Sequence, residues 1–138
     1  MADEKNEQVA RENGIIDFNA EAVRLGDHIV RGTAADGQVR AFAITARASV
    51  QGLHDRHQTS PVVSAALGRL LMAGMMMGAM SKNDDEPITL VVHGEGPVGG
   101  LTVTANNHGQ ARGFANHPHM WLPLNDAGKL SVGEAVAG

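Results

Sequence analysis

Gly94-Glu95-Gly96-Pro97-Val98-Gly99 is the stretch whose residue types and spacing most openly suggest chemistry, because it matches the G-x-G-x-x-G pattern that cradles a pyrophosphate. That mechanism needs a helix N-terminus directly after the loop, and Leu101 to Ala105 alternates like a strand instead, so the match reads as a glycine-rich hairpin turn. Seven histidines raise a metal hypothesis. His54 and His57 are three apart on a predicted helix face, and His117 and His119 flank Pro118 in a predicted loop. Zinc requires three or four ligands converging at about 2 Å, and no carboxylate-histidine constellation supplies the remainder; these histidines read as surface or hydrogen-bonded groups. A catalytic serine would need a base and an orienting carboxylate. Ser60 is better placed as a helix cap, Ser49 has no elbow motif around it, and Ser64 lies inside an apolar run. Asp84, Asp85 and Glu86 form a solvated acidic loop. Nothing in the residue pattern points to an enzyme.

The element that must position everything else is Thr59 to Met80. Ser60 offers an oxygen to orphan backbone N–H groups and Pro61 has the φ of a first helical position, so a helix begins here. Ser81 to Pro87 is polar and proline-closed, which ends the helix near Met80. Between those ends Arg69 is the only charge. A helix apolar on every side must be covered on several sides or lie in lipid, and at about 1.5 Å per residue this one is long enough to span. Arg69 near its middle, with no aromatic belt or basic loop at its ends, argues against the membrane. The expectation is a central helix wrapped by other elements or by a second subunit. Ser64 and Gly68, and again Gly74 and Gly78, recur four apart where another backbone could approach. Five of the seven methionines, Met72, Met75, Met76, Met77 and Met80, fall in the helix. Thioethers fill cores and also line adaptable binding surfaces, so Leu70, Leu71, Met75, Met76, Met77 and Met80 are the candidate client-binding or dimer surface.

The 138 residues are enough for one domain. A formal charge of −4, without a basic run or stacking aromatics, predicts no nucleic-acid partner. With no cysteine the chain has no disulfide, thiolate metal site or cysteine nucleophile, and no cofactor is expected. Residues 1–13 read as a mobile polar arm, and 15–25 as an unsettled strand or turn. Residues 27–33 and 39–45 flank an Asp36-Gly37 pair, a strong hairpin signal, with at least one face expected to be buried. A shorter helix is predicted over Ala46 to His57, with Val50, Leu53 and His57 on one stripe. Three strands follow the central helix: residues 88–93, 101–105 and 110–115. A proline-containing loop covers 116–123, and Ser131 to Ala135 begins a helix or turn. The sum is an α+β fold, helices packed on antiparallel sheet.

Several of these stretches together resemble the redox-regulated 33-kDa heat-shock chaperone family. They are Val30-Arg31 with Ala35 to Arg40, His57 to Pro61 leading into Ala65 to Leu71, Gly94 to Leu101, and Arg112-Gly113-Phe114 with Asn116. Within them Ser60, Pro61, Gly68, Arg69, Gly96, Pro97, Gly99 and Gly100 are the motif residues. The resemblance implies an ATP-independent holdase of the bacterial cytoplasm that binds unfolding proteins during oxidative stress and acts as a dimer. It also implies a carboxy-terminal module with four cysteines on zinc, and this chain departs from that pattern because it has no cysteine and stops at Gly138. The expectation is a fragment, residues 14–138 being part of the amino-terminal core, in preference to a family member without the switch. Two other functions compete. A plain oligomerisation domain without clients fits the apolar helix, and a nucleotide- or small-ligand enzyme would use the Gly94 to Gly100 loop.

Overall fold

A computed structural model describes residues 26–83 and 86–138. The expectations for the amino-terminal arm, for residues 15–25 and for Asp84 and Asp85 lie outside the described residues. In chain order the elements are β1 (His28–Ala34), β2 (Val39–Thr45), α1 (Arg47–His57), α2 (Pro61–Gly78), β3 (Ile88–Val92), β4 (Leu101–Ala105), β5 (Ala111–Ala115) and α3 (Val132–Ala137). The fold is α+β: a two-stranded antiparallel sheet, β1-β2, and a three-stranded antiparallel sheet, β3-β4-β5, with helices packed between and beside them.

The helix α2 starts as its sequence dictates. The Ser60 hydroxyl accepts the Val63 N–H at 3.4 Å, and Pro61 occupies the first turn, where a missing N–H costs nothing. The regular helix ends at Gly78, two residues before the expected Met80, and Met80 and Ser81 close a tighter turn by donating to the Met77 and Gly78 carbonyls. One flank of α2 lies across β4, with β3 and β5 to either side. A methyl at Gly74 would stand 2.8 Å from Val103 Cγ1, and one at Gly78 would stand 2.5 Å from the Asn106 carbonyl oxygen. The two small residues thus let helix and sheet approach more closely than any side chain would permit.

The helix passes the length and hydropathy test for a membrane span, yet half of it is buried inside the chain's own fold. Other elements cover it on several sides, as expected from sequence, but they leave one stripe open. Val62, Val63, Ala66, Leu67, Leu71 and Met75 are buried, whereas Arg69, Met77 and Met80 are exposed on the other side. The sheet covers one flank and α1 part of another, which leaves an outward stripe where the sequence has methionine and Arg69.

Alternation along the three strands sorts their two faces. Leu101, Val103 and Ala105 of β4 are buried towards α2, while Thr102 and Thr104 are half-buried on the other face. The register places Val91 and Phe114 on either side of Thr102, and Thr89 and Arg112 on either side of Thr104. The β1-β2 hairpin turns at Ala35-Asp36-Gly37, all three with positive φ. No residue of either strand is buried, contrary to the expected buried face: Ile29, Phe42 and Ile44 are half-buried, and Val30 and Val39 are exposed. The reason is topological. Among the described residues this hairpin is not hydrogen-bonded to the three-stranded sheet, and Ile29 and Ile44, paired near its base, are the strand residues that reach the core.

Candidate functional site

The glycine-rich loop is a clasp, and the backbone donors at its centre, Gly96, Val98 and Gly99, are committed. Gly96 N–H donates to the Val136 carbonyl at 3.1 Å and Val98 N–H to the Ala135 carbonyl at 3.0 Å. A methyl on Gly94 or Gly96 would run into those same α3 carbonyls. On the other side the Asn116 side-chain amide donates to the Gly99 carbonyl at 2.6 Å, His117 N–H donates to the Val98 carbonyl at 3.0 Å, and His117 Nδ1 lies 3.0 Å from the Pro97 carbonyl. Gly99 and Gly100, both at positive φ, lead directly into β4, and Gly96, Val98 and Gly100 are buried. A phosphate would find no helix N-terminus directly after this loop, and the Gly96, Val98 and Gly99 N–H groups already have acceptors. The glycines serve packing.

His117 and His119 are likewise engaged in structure. His119 Nδ1 lies 3.0 Å from the Gln58 carbonyl, which ties the loop after β5 to the end of α1. Ser60 N–H donates to the Pro118 carbonyl at 2.9 Å, so the same loop also holds the start of α2. Among the described residues no group of three or more His, Asp or Glu is placed to hold a metal ion. With no cysteine in the sequence either, the residues present do not fit the zinc that the family resemblance implies.

One arrangement was not visible in the sequence. His54 Nδ1 lies 3.2 Å from Ser64 Oγ and 3.3 Å from Thr59 Oγ1, and those two hydroxyls are 2.6 Å apart. A serine and an imidazole in contact are the first two parts of a nucleophilic device, but no carboxylate is hydrogen-bonded to His54 among the described residues. Thr59 is buried, and the cluster satisfies hydroxyls that the α1–α2 corner would otherwise bury without partners. A second long-range contact escaped the sequence for the same reason. Ala46, at the start of α1, makes no side-chain cap, and Asp27 supplies one from before β1: its carboxylate accepts the Ala48 N–H at 3.0 Å and the Ser49 N–H at 2.6 Å.

The six residues proposed from sequence as a client or dimer surface divide. Leu71 and Met75 belong to the core, since their stripe faces the sheet and α1. Leu70 and Met76 are half-buried, and Met77 and Met80 are exposed. Ser60 and Pro61 cap α2, Gly68 packs on Val50 of α1, and Arg69 is exposed. The largest apolar groups on the outside lie elsewhere. Val91 and Phe114, 48% and 49% exposed, share a rung of the outer sheet face, and Trp121 is 67% exposed in the segment after β5. Leu124 and Leu130, paired in a single bridge, are exposed beyond it. Sequence alternation marked Val91 and Phe114 as one face of strands, but which face looked outward depends on where α2 lies.

A family model described as Hsp33 protein matches residues 27–138. The chain belongs to the Hsp33 family. A 33 kDa chaperonin of Agathobacter rectalis is 55% identical over 112 residues, covering 81% of this chain and 39% of that protein. The 33 kDa chaperonin of Geobacillus sp. is 46% identical over the same length, covering 81% and 38%. The crystal structure of the Hsp33 homologue of Thermotoga maritima superposes with a TM-score of 0.75 at 29% identity, covering 79% of this chain and 37% of that one. The chain thus spans about two-fifths of the length of the Hsp33 relatives it matches. It is a member of a chaperone family and not an enzyme.

Proposed function

We propose that this chain is the folded platform of an ATP-independent holdase that captures unfolding proteins and keeps them from aggregating. The observation that carries the reading is the outer face of the three-stranded sheet, where Val91 and Phe114 flank Thr102 with half their surface in water. A holdase competes for unfolded segments with exposed apolar area, worth roughly 25 cal/mol per Å² buried, and needs no nucleotide to do so. An apolar rung edged by threonines suits that task, because it binds without register or sequence demands. Among the described residues β3 is an edge strand, which adds backbone groups to which an extended client segment can pair. Met77 and Met80, with Leu70 and Met76 beside them on α2, form the adaptable part of the surface and the place where a second copy would pair. The platform acts in the cytoplasm and holds no resident metal, so the redox switch of the family resemblance has no ligands in this chain.

Light scattering from a thermally unfolding client tests the reading. Suppression at a near-stoichiometric ratio is expected. A chain that self-associates in sedimentation yet leaves client aggregation unchanged is an oligomerisation domain, and the holdase reading fails.

A further inference from the structure

Arg56 and His57 at the end of α1 and Arg112 of β5 lie far apart in sequence, and the fold brings them to the walls of one cleft between helix and sheet. On the outer side the cleft encloses about 430 Å³, lined also by Thr102, Thr104 and Phe114, and it continues along β5 into a recess of about 240 Å³ that shares Arg56, His57 and Arg112. Among the described residues no aspartate or glutamate lines either part. Arginine is always charged, so two guanidinium groups face one space with no carboxylate among the described lining residues to balance them, in a chain whose formal charge is −4. The last turn of α1 accounts for Arg56 and His57, since cations stabilise a helix C-terminus. It does not account for Arg112, which comes across from the sheet.

We infer that this cleft binds a ligand carrying two or more linked phosphates. Guanidinium forks match phosphate oxygens bidentately, the threonine hydroxyls can donate to further oxygens, and the volume falls in the usual range of small-ligand sites, about 300–1,000 Å³. The exposed Phe114 ring stands at the rim, where it offers a stacking face if the phosphates carry a planar base. The site is separate from the Gly94 to Gly100 loop, whose Gly96 and Val98 N–H groups are committed to α3, and it does not depend on the holdase reading.

Calorimetric titration of the chain with sodium triphosphate, pyrophosphate and ADP tests the inference. One saturable site is expected. Arg56→Gln and Arg112→Gln should each weaken it by about tenfold or more, with the melting temperature retained, because each removes charge-assisted hydrogen bonds. Arg40→Gln, on the hairpin and outside the cleft, should leave the affinity unchanged. ADP binding more tightly than pyrophosphate, with the advantage lost in Phe114→Leu, identifies a nucleotide; equal affinities identify an inorganic phosphate chain. Unsaturable heats, or a loss as large in Arg40→Gln as in Arg112→Gln, overturn the proposal.

Discussion

Asp27 Oδ2 lies 2.6 Å from both the amide nitrogen and the hydroxyl oxygen of Ser49. The carboxylate thereby closes the first turn of α1 from a position 22 residues earlier in the chain, and joins the base of the hairpin to the helix. Burial by itself pushes the Asp27 carboxyl up, but the Ser49 hydroxyl, the Ala48 and Ser49 N–H groups and the nearby His28 together hold it below its ordinary value of 3.8. A carboxyl depressed in the folded state contributes stability that is fully present above the unfolded value and is lost as pH falls through the folded one. Asp27→Ala should therefore lower stability by about 1 kcal/mol at neutral pH and by progressively less as the pH falls below 3.8, as a pH series of denaturant titrations would show.

Gly96→Ala should detach α3 from the glycine loop, because the added methyl meets the Ala135 carbonyl, which is backbone and cannot rotate away. A loss of about 2–4 kcal/mol is expected, with amide exchange of Val98 rising first. Gly133→Ala is the internal control. It lies in α3 with nothing within 4 Å of the new methyl, and should be neutral or stabilising by up to about 1 kcal/mol.

Leu71→Ala should cost about 2–5 kcal/mol by leaving a cavity between α2 and its neighbours, whereas Met77→Ala, six residues on but on the exposed stripe, should change stability by about 0.5 kcal/mol or less. Thermal melts of the two variants separate core from surface. Equal losses would mean that the outward stripe of α2 is covered in solution.

Val91→Ser and Phe114→Ser should leave the melting temperature nearly unchanged, since both side chains already stand in solvent on the outer sheet face. The same variants should lower the client-protecting capacity in the light-scattering assay several-fold, each by removing apolar area of order 100 Å² or less from the rung. Retained protection in the double variant would move the client site away from this sheet.

The parts of the fold that follow local rules were legible in the sequence: the Ser60-Pro61 start of α2, the Asp36-Gly37 turn, the alternation of β4, and the strand after Gly100 that ruled out a dinucleotide loop. What was not legible depends on partners distant in the chain. No pattern links Asp27 to Ser49, His54 to Ser64, or Arg56 to Arg112 before the fold exists. The methionine run misled in an instructive way. Composition marked all of it as apolar, but only the position of the sheet decides that Met75 is interior and Met77 is not. Of the six residues named from sequence the fold leaves Met77 and Met80 exposed, and the exposure of Val91, Phe114 and Trp121 had to be found in three dimensions.

The notches at Gly74 and Gly78 have a mechanical consequence. Sliding α2 along its axis by a residue would drive a methionine or alanine side chain into Val103 or the Asn106 backbone, so piston-like travel of the helix over the strands is blocked in both directions. Helix and sheet must translate as one rigid block. Among the described residues, the parts that stand outside that block are the β1-β2 hairpin and the segment bearing Trp121, and relative movement is left to them.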